Sequence, residues 1–335
     1  MTSKDDITGP RMAIPGATSD APAFALSIVV PVYNGAKSVP DLVAALSELD
    51  VPGGHEIILV DDGSPDESAE VCRALARQDC PVPVTAVLLS RNFGEHNAVM
   101  AGLHHVRGAY VVTMDDDLQN PPGEVTRLFE ATRDGGHDVL YTYYAVKQHS
   151  SYRNLGSWLA NRTADLVLDK PRGLYLSSFR CLRRGLVDQL LAYDGPFPYV
   201  DGLISQVTQS IGTLEVAHLP RAEGRSNYTL RRLVRLWLTI LLNFSTLPLR
   251  ISSILGLAMS ALGLLLAVAV VFERLFFDVP LGWGSLMSAL LVFSGVQLLM
   301  LGLIGEYLGR TYLSVNRKPQ FVVRTVVEGA GRPSA

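Results

Sequence analysis

The sequence predicts a parallel α/β domain carrying two hydrophobic helices at its C-terminal side, and three observations lead there. Before Leu230, short apolar runs alternate with stretches of helical spacing. Two of the apolar runs close on acidic clusters, Asp61-Asp62 and Asp115-Asp116-Asp117. Beyond Arg250 the composition changes, and two long segments almost free of charge follow.

Taken in order, Leu26–Val32 is an apolar run containing a proline near its end, which suits a buried strand. Val39–Leu49 has helical spacing, and Glu56–Val60 is a second strand ending on Asp61 and Asp62. Glu67–Arg77 reads as a helix, Val84–Leu89 as a strand and His96–Val106 as a helix. Tyr110–Met114 is a fourth strand, ending on Asp115. Pro121 and Pro122 then open a helix, where a missing N–H costs little. Arg153–Leu168 reads as a long helix, with edge strands at Leu176–Leu182 and Thr213–His218. Strands alternating with helices imply a mostly parallel sheet, whose ligand sits at the carboxyl ends of the strands. Both acidic clusters lie there.

The flanking regions differ. Met1–Phe24 is rich in Pro, Gly, Ser, Thr and Asp and lacks an apolar core, so it reads as a disordered tail, not a secretory signal. A net charge of −3 gives no global pull toward nucleic acid. Cys72, Cys80 and Cys181 have no metal-like spacing and read as free thiols.

Ile251–Phe272 and Leu286–Ile304 are each long enough to cross a hydrocarbon layer of roughly 30 Å as a helix. Arg231, Arg232, Arg235 and Arg250 precede the first, and Arg310, Arg317 and Lys318 follow the second. The Glu273–Ser285 connection has Arg274 against Glu273 and Asp278. That bias puts both ends of a hairpin in the cytoplasm. Leu230, Leu233, Val234, Trp237, Leu238 and Leu241 form one stripe, with arginines elsewhere, as expected of a helix lying in the membrane interface. The expected organisation is a tail over 1–24, a catalytic domain over 25–228, an interfacial helix over 229–249, a transmembrane hairpin over 250–310 and a cytoplasmic tail over 311–335.

Asp115-Asp116-Asp117-Leu118-Gln119 is the strongest chemical signal. Closely spaced carboxylates at a strand end, with an amide oxygen beside them, are hard ligands suited to Mg²⁺ or Mn²⁺. A cation there would stabilise the charge that develops on a departing nucleotide diphosphate. Both carboxylates serve one site only if the chain bends at Asp116, because extended backbone sends alternate side chains to opposite faces. Asp117 and Gln119 are the expected metal ligands, and Asp115 either shares the metal or holds the ribose. In Asp61-Asp62-Gly63-Ser64 a carboxylate can accept hydrogen bonds from a ribose or a base, and Gly63 allows close backbone approach.

Together these segments resemble family 2 glycosyltransferases of the type that make polyprenyl-phosphate sugars. The resemblance runs through Val29-Val30-Pro31-Val32-Tyr33-Asn34, Asp61–Ser64, Ser90-Arg91-Asn92-Phe93-Gly94, Met114–Pro122, Pro248-Leu249-Arg250 and Gly305–Arg310, and covers Ala25 to Val326. It implies a GT-A fold and an inverting transfer from a nucleotide-sugar, with UDP as the suggested carrier, to undecaprenyl or another polyprenyl phosphate. The nucleotide pocket then falls on Pro31, Tyr33, Asp61, Arg91 and Asp115, and the metal and diphosphate motif on Asp115, Asp117 and Gln119. Residues near the phosphates are matched by Arg153, Ser157, Asn161 and Arg180, and the acceptor side by Arg221, Gly224, Ser226 and Tyr228. Where the family often has Glu after Tyr-Asn, this chain has Gly35, so a ribose or base contact is lost or supplied elsewhere. Where it often has Lys, this chain has Asn227, with Arg225 as the neighbouring replacement. Related enzymes also imply a homotetramer, to which Gly305 and Gly309 would contribute close helix approach.

A phosphate monoester is already ionised and attacks without much acid–base help, so positioning and charge neutralisation are expected to supply most of the rate. Asp116 and Asp117 are the candidates if a dedicated base is used. The rival readings are a processive polysaccharide synthase and a non-catalytic nucleotide-sugar-binding membrane protein. The first usually carries Gln-x-x-Arg-Trp, which this sequence lacks, and the intact Asp115, Asp117 and Gln119 set argues against the second.

Overall fold

The structure, a computed structural model, describes residues 22–144, 174–217, 247–276, 282–316 and 318–329. Its centre is an eight-stranded sheet of order β7-β5-β6-β4-β1-β2-β3-β8. Strands β1 (Phe24–Val32), β2 (His55–Asp61), β3 (Val84–Leu89) and β4 (Gly108–Thr113) form its parallel heart. Beyond β4, β6 (Arg180–Arg183) runs antiparallel to both β4 and β5 (Val139–Tyr143), and β7 (Ile211–Glu215) lies parallel to β5. At the other edge β8 (Val323–Glu328) pairs antiparallel with β3.

Near-continuous apolar runs are what a sheet covered on both faces requires. On one face Leu26, Ile28 and Val30 of β1 pack into a core with helices α1 (Val39–Ser47), α2 (Ser68–Arg77) and α4 (Gly123–Gly135). On the other, Val29, Ile58 and Val87 pack with α3 (Glu95–Leu103), α5 (Arg184–Leu191) and α6 (Val200–Val207). Each fully buried Leu, Ile or Val stabilises the fold by about 1.5–3 kcal/mol before entropy is counted. Since α1 and α3 cover opposite faces, the chain reverses its winding between β1 and β4. The carboxyl ends of these neighbouring strands therefore diverge around a crevice, the expected position for a ligand in an open α/β sheet.

The structure differs from expectation in several elements. β4 stops at Thr113, the Leu176–Leu182 expectation becomes the shorter and later β6, and the Thr213–His218 expectation shifts toward the N-terminus as β7. β5, α5 and α6 were not anticipated. The expected tail over 311–335 contains β8, whose Val323, Thr325, Val326 and Val327 continue the catalytic sheet and satisfy the edge of β3. The expected helices at Arg153–Leu168 and Leu230–Phe244 lie outside the described residues, as does most of the expected N-terminal tail.

The C-terminal hydrophobic segments form α7 (Leu247–Phe276) and α8 (Trp283–Val315), of 30 and 33 residues. Each is longer than the span expected from sequence. In α8 the helix continues past Ile304, and along that extension Glu306 and Arg310 pair at 2.9 Å one turn apart. Among the described residues, Val292–Val315 is the segment long and apolar enough to cross a membrane, while Ser252–Leu266 in α7 is a shorter apolar stretch. Leu257, Leu264, Leu298 and Leu308 project outward, each more than 60% exposed.

Candidate active site

Three loops leave the carboxyl ends of β1, β2 and β3 and lock onto one another. The loop after β1 hangs on the loop after β2. The Asn34 N–H donates to Ser64 Oγ at 3.2 Å, the Gly35 N–H to Ser68 Oγ at 2.9 Å and the Ala36 N–H to Asp66 Oδ2 at 3.4 Å. Asn34 takes a left-handed conformation with φ of 60° to turn the chain there, a geometry Asn tolerates better than most residues.

The loop after β2 in turn holds the loop after β3. Asp62 accepts the Phe93 N–H at 2.7 Å and the Gly94 N–H at 2.8 Å, one on each carboxylate oxygen. Gly63, with φ of +62°, lies against the backbone of Arg91 and Asn92, leaving no room for a Cβ. Arg91 is thus exposed at the apex of a loop whose backbone is fixed, and its guanidinium lies 4.6 Å from the centre of the Phe93 ring. Asp61, 2% exposed, accepts the Ser64 N–H on Oδ1 at 3.3 Å, and burial raises its pKa. Tyr33, by contrast, is 49% exposed beside it. Pro31 is opposite Val60 in the β1–β2 register, one residue before Asp61.

The fourth loop carries the acidic motif. The chain leaves β4 at Thr113 and bends from Asp116 to Leu118, as required if Asp115 and Asp117 are to serve one site. Leu118 completes the bend in the left-handed region, φ 59°, a strain of order 1–2 kcal/mol that its packing against the core offsets. Ser178 Oγ donates to Asp115 Oδ2 at 2.7 Å, and the Gln119 N–H donates to Asp117 Oδ1 at 3.2 Å. Asp116 turns back toward β1. Its Oδ2 is buried without a hydrogen-bond partner, and a Cβ on Gly35 would collide with it. Gly35 therefore leaves the space that Asp116 fills, joining the motif to the loop after β1.

Burial, then the charges of Asp115 and Asp117, push the Asp116 pKa up to about 7. Glu95, in the first turn of α3 and exposed, brings a further carboxylate close enough to Asp115 to feel its charge. The strand ends thus concentrate negative charge. Among the described residues, no three His, Cys, Asp or Glu side chains converge as a self-sufficient metal site. Mg²⁺ does not need such a site: it is usually held by one or two carboxylates together with substrate phosphates and water. The carboxylates of Asp115 and Asp117, with the Gln119 amide beside them, are a hard-oxygen donor set that fits a divalent cation of this kind.

Arg180, expected near the phosphates, begins β6. It is 2% exposed, and its guanidinium pairs with Asp201, which also accepts the Tyr141 hydroxyl at 2.9 Å. β6 sets Arg180 opposite Thr113 and sends its side chain toward α6, where Asp201 neutralises it. Arg153, Ser157, Asn161, Arg221, Arg225 and Ser226 lie outside the described residues. Asp62, Glu95 and Ser178 were missed as part of the site. The signals available were the second acid of Asp61-Asp62, the acid directly after Ser-Arg-Asn-Phe-Gly, and the hydroxyl before Phe179-Arg180.

Known proteins of similar sequence identify the family. A family model described as glycosyl transferase family 2 matches residues 27–191. Undecaprenyl-phosphate 4-deoxy-4-formamido-L-arabinose transferase of Pseudomonas aeruginosa is 38% identical over 325 residues, spanning 94% of this chain and 93% of its own. The chain belongs to glycosyl transferase family 2. A second family model, the GtrB C-terminal hairpin, matches residues 247–311 of this glycosyltransferase, the region of α7 and α8. The transferase of the same description from Serratia proteamaculans is 37% identical over 313 residues, covering 91% of this chain and 95% of its own. A crystal structure of Mycobacterium tuberculosis glucosyl-3-phosphoglycerate synthase superposes with a TM-score of 0.48 at 18% identity, covering 65% of this chain and 78% of that one.

Proposed function

We propose that this glycosyltransferase moves a sugar, with inversion, from a UDP-sugar to undecaprenyl phosphate or a related polyprenyl phosphate at the cytoplasmic face of a membrane, giving a lipid-linked monosaccharide for cell-envelope glycan or lipopolysaccharide modification. The observation that carries this reading is the extent of the 38% identity: it spans 94% of the chain, hairpin included, with relatives named for transfer to undecaprenyl phosphate.

Pro31, Tyr33, Asp61 and Arg91 line the nucleotide side of the crevice, and Asp115 holds the ribose or shares the metal. Asp117 and Gln119, with Asp115, would hold Mg²⁺ or Mn²⁺, which supplies neutralisation of charge on the departing diphosphate. The acceptor phosphate is an ionised nucleophile, so the protein's task is to orient it and exclude water. Asp116, placed behind the metal motif, and Asp117 are the candidates for any dedicated base. Arg153, Ser157, Asn161, Arg221, Arg225 and Ser226 form the acceptor and phosphate side, where arginine suits a lipid phosphate through paired charge-assisted hydrogen bonds. Arg180, whose guanidinium pairs with Asp201, is assigned to the same side. The test is Arg221→Ala: the KM for undecaprenyl phosphate should rise about 10-fold or more while donor affinity stays near wild type. An equal loss of donor affinity would contradict the assignment.

In this reading α7 and α8 cross the membrane as a hairpin with the catalytic domain in the cytoplasm, the preceding segment 229–249 lies in the interface, and the molecule assembles as a homotetramer through its second span. Sheet topology supports the hairpin, because the chain leaves the sheet after β7 and returns to it as β8, so α7 and α8 together cross an even number of times. Cysteine placed at Gly282 should react with an impermeant reagent added outside intact cells, and cysteine at Ser334 should not. Labelling at Ser334 would reverse the topology. Native mass measurement in gentle detergent tests the tetramer, and a monomer would exclude it.

A further inference from the structure

The donor loop Ser90–Gly94 is held at both ends, and the two anchors come from opposite ends of the chain. Asp62 grips Phe93 and Gly94. At the other end, the Ser90 N–H donates to the Val322 carbonyl at 2.9 Å, and Arg324 Nη2 donates to the Ser90 carbonyl at 2.9 Å. Both backbone polar groups of Ser90 are therefore satisfied by Val322 and Arg324, in the segment that follows α8. The β3–β8 register shifts at Leu88/Leu89, just before this point, and Arg324 restores the tie where regular pairing falters.

The same segment is fastened along its length. Arg310, near the end of α8, lies 5.7 Å from the centre of the Phe197 ring. Gln320 Nε2 donates to the Tyr193 carbonyl at 2.6 Å, and the Phe321 ring meets His104 edge-on at 5.7 Å. From α8 to Ser90 the chain is thus a strap against the catalytic domain.

We infer that Arg324 is a positioning residue for nucleotide binding: through Ser90 it sets the backbone from which Arg91 reaches the donor, and so ties the nucleotide loop to the C-terminal end of α8. The inference rests on reading Ser90–Gly94 as part of the donor site. It makes the C-terminal strand part of the nucleotide machinery, and it predicts that a change on β8, late in the chain, acts on donor affinity and leaves the acceptor side untouched.

The test uses the full chain in detergent with Mg²⁺, measuring UDP and GDP binding by calorimetry and backbone amide hydrogen exchange over residues 88–95. Arg324→Ala should weaken nucleotide binding about 3- to 10-fold, the scale of one lost hydrogen bond. It should speed exchange at the Ser90–Phe93 amides and leave the KM for undecaprenyl phosphate unchanged. Arg324→Lys, which retains a donor, should recover part of the affinity. Thr325→Ala, its neighbour on β8, should bind like wild type, which separates loop positioning from general weakening of the strand. Nucleotide affinity and exchange in Arg324→Ala equal to wild type would overturn the inference alone. Failure of the wild type to bind either nucleotide would overturn both it and the donor-site reading.

Discussion

Asp117→Asn should lose about 100-fold or more in turnover, the scale of removing one preorganised charge contact at a developing anion. The substitution keeps the shape of the side chain and removes one negative charge from the rim. The Gln119 N–H, which Asp117 Oδ1 accepts at 3.2 Å, can still be accepted by the amide oxygen, so the loop keeps its fold. Core packing and membrane insertion should be unchanged, as judged by thermal melting and by recovery in the membrane fraction. Chelation of divalent ions should reproduce the loss in the wild type, and Mg²⁺ or Mn²⁺ should reverse it. Asp117→Asn with full activity would remove the metal assignment.

Gly63→Ala should be nearly as damaging, by a route that involves no chemistry. An alanine at φ of +62° carries a left-handed cost of about 1–2 kcal/mol. Its Cβ would lie 2.6 Å from the Asn92 nitrogen and 2.7 Å from the Arg91 Cα, both backbone atoms with no room to rotate away. The donor loop must move outward, pulling Phe93 and Gly94 from Asp62. UDP affinity should fall about 10-fold or more, with the two lost hydrogen bonds setting the scale. Gly136→Ala is the matched control, because Gly136 also has positive φ, +63°, but a Cβ there meets nothing within 4 Å. If both variants melt alike and both bind UDP like wild type, the close packing of the two loops plays no part in donor binding.

What could be read in the sequence follows from where each signal lies. β1 to β4 were legible because strands buried on both faces appear as continuous apolar runs, and Asp61 and Asp115–Gln119 were legible because they terminate such runs. β5, with Tyr141, Thr142 and Tyr143 in five residues, has no such run. β8 is apolar enough, but its partner β3 precedes the whole hairpin, and no local pattern announces a pairing over that distance. The same limit governs the site. Asp62 reads as half of an ordinary Asp-Asp-Gly turn until Phe93, 31 residues away, is brought against it. Arg180 reads as a residue near the phosphates, and its partner Asp201, on α6, cannot be seen from the local sequence. Gly35 reads as a missing side chain until Asp116 is found in its place. In each case the residue type was visible, and the partner that decides its role was supplied by the fold.

The most direct measurement is product formation by the purified full chain. It would be incubated with Mg²⁺, undecaprenyl phosphate and a panel of labelled UDP-sugars, and the lipid fraction analysed by mass spectrometry. The expected result is a lipid carrying a single sugar on its phosphate, formed from one donor of the panel in preference to the rest, lost on chelation and absent with Asp117→Asn. A polymeric product, or wild-type protein that binds UDP yet glycosylates no polyprenyl phosphate, would contradict the proposed function.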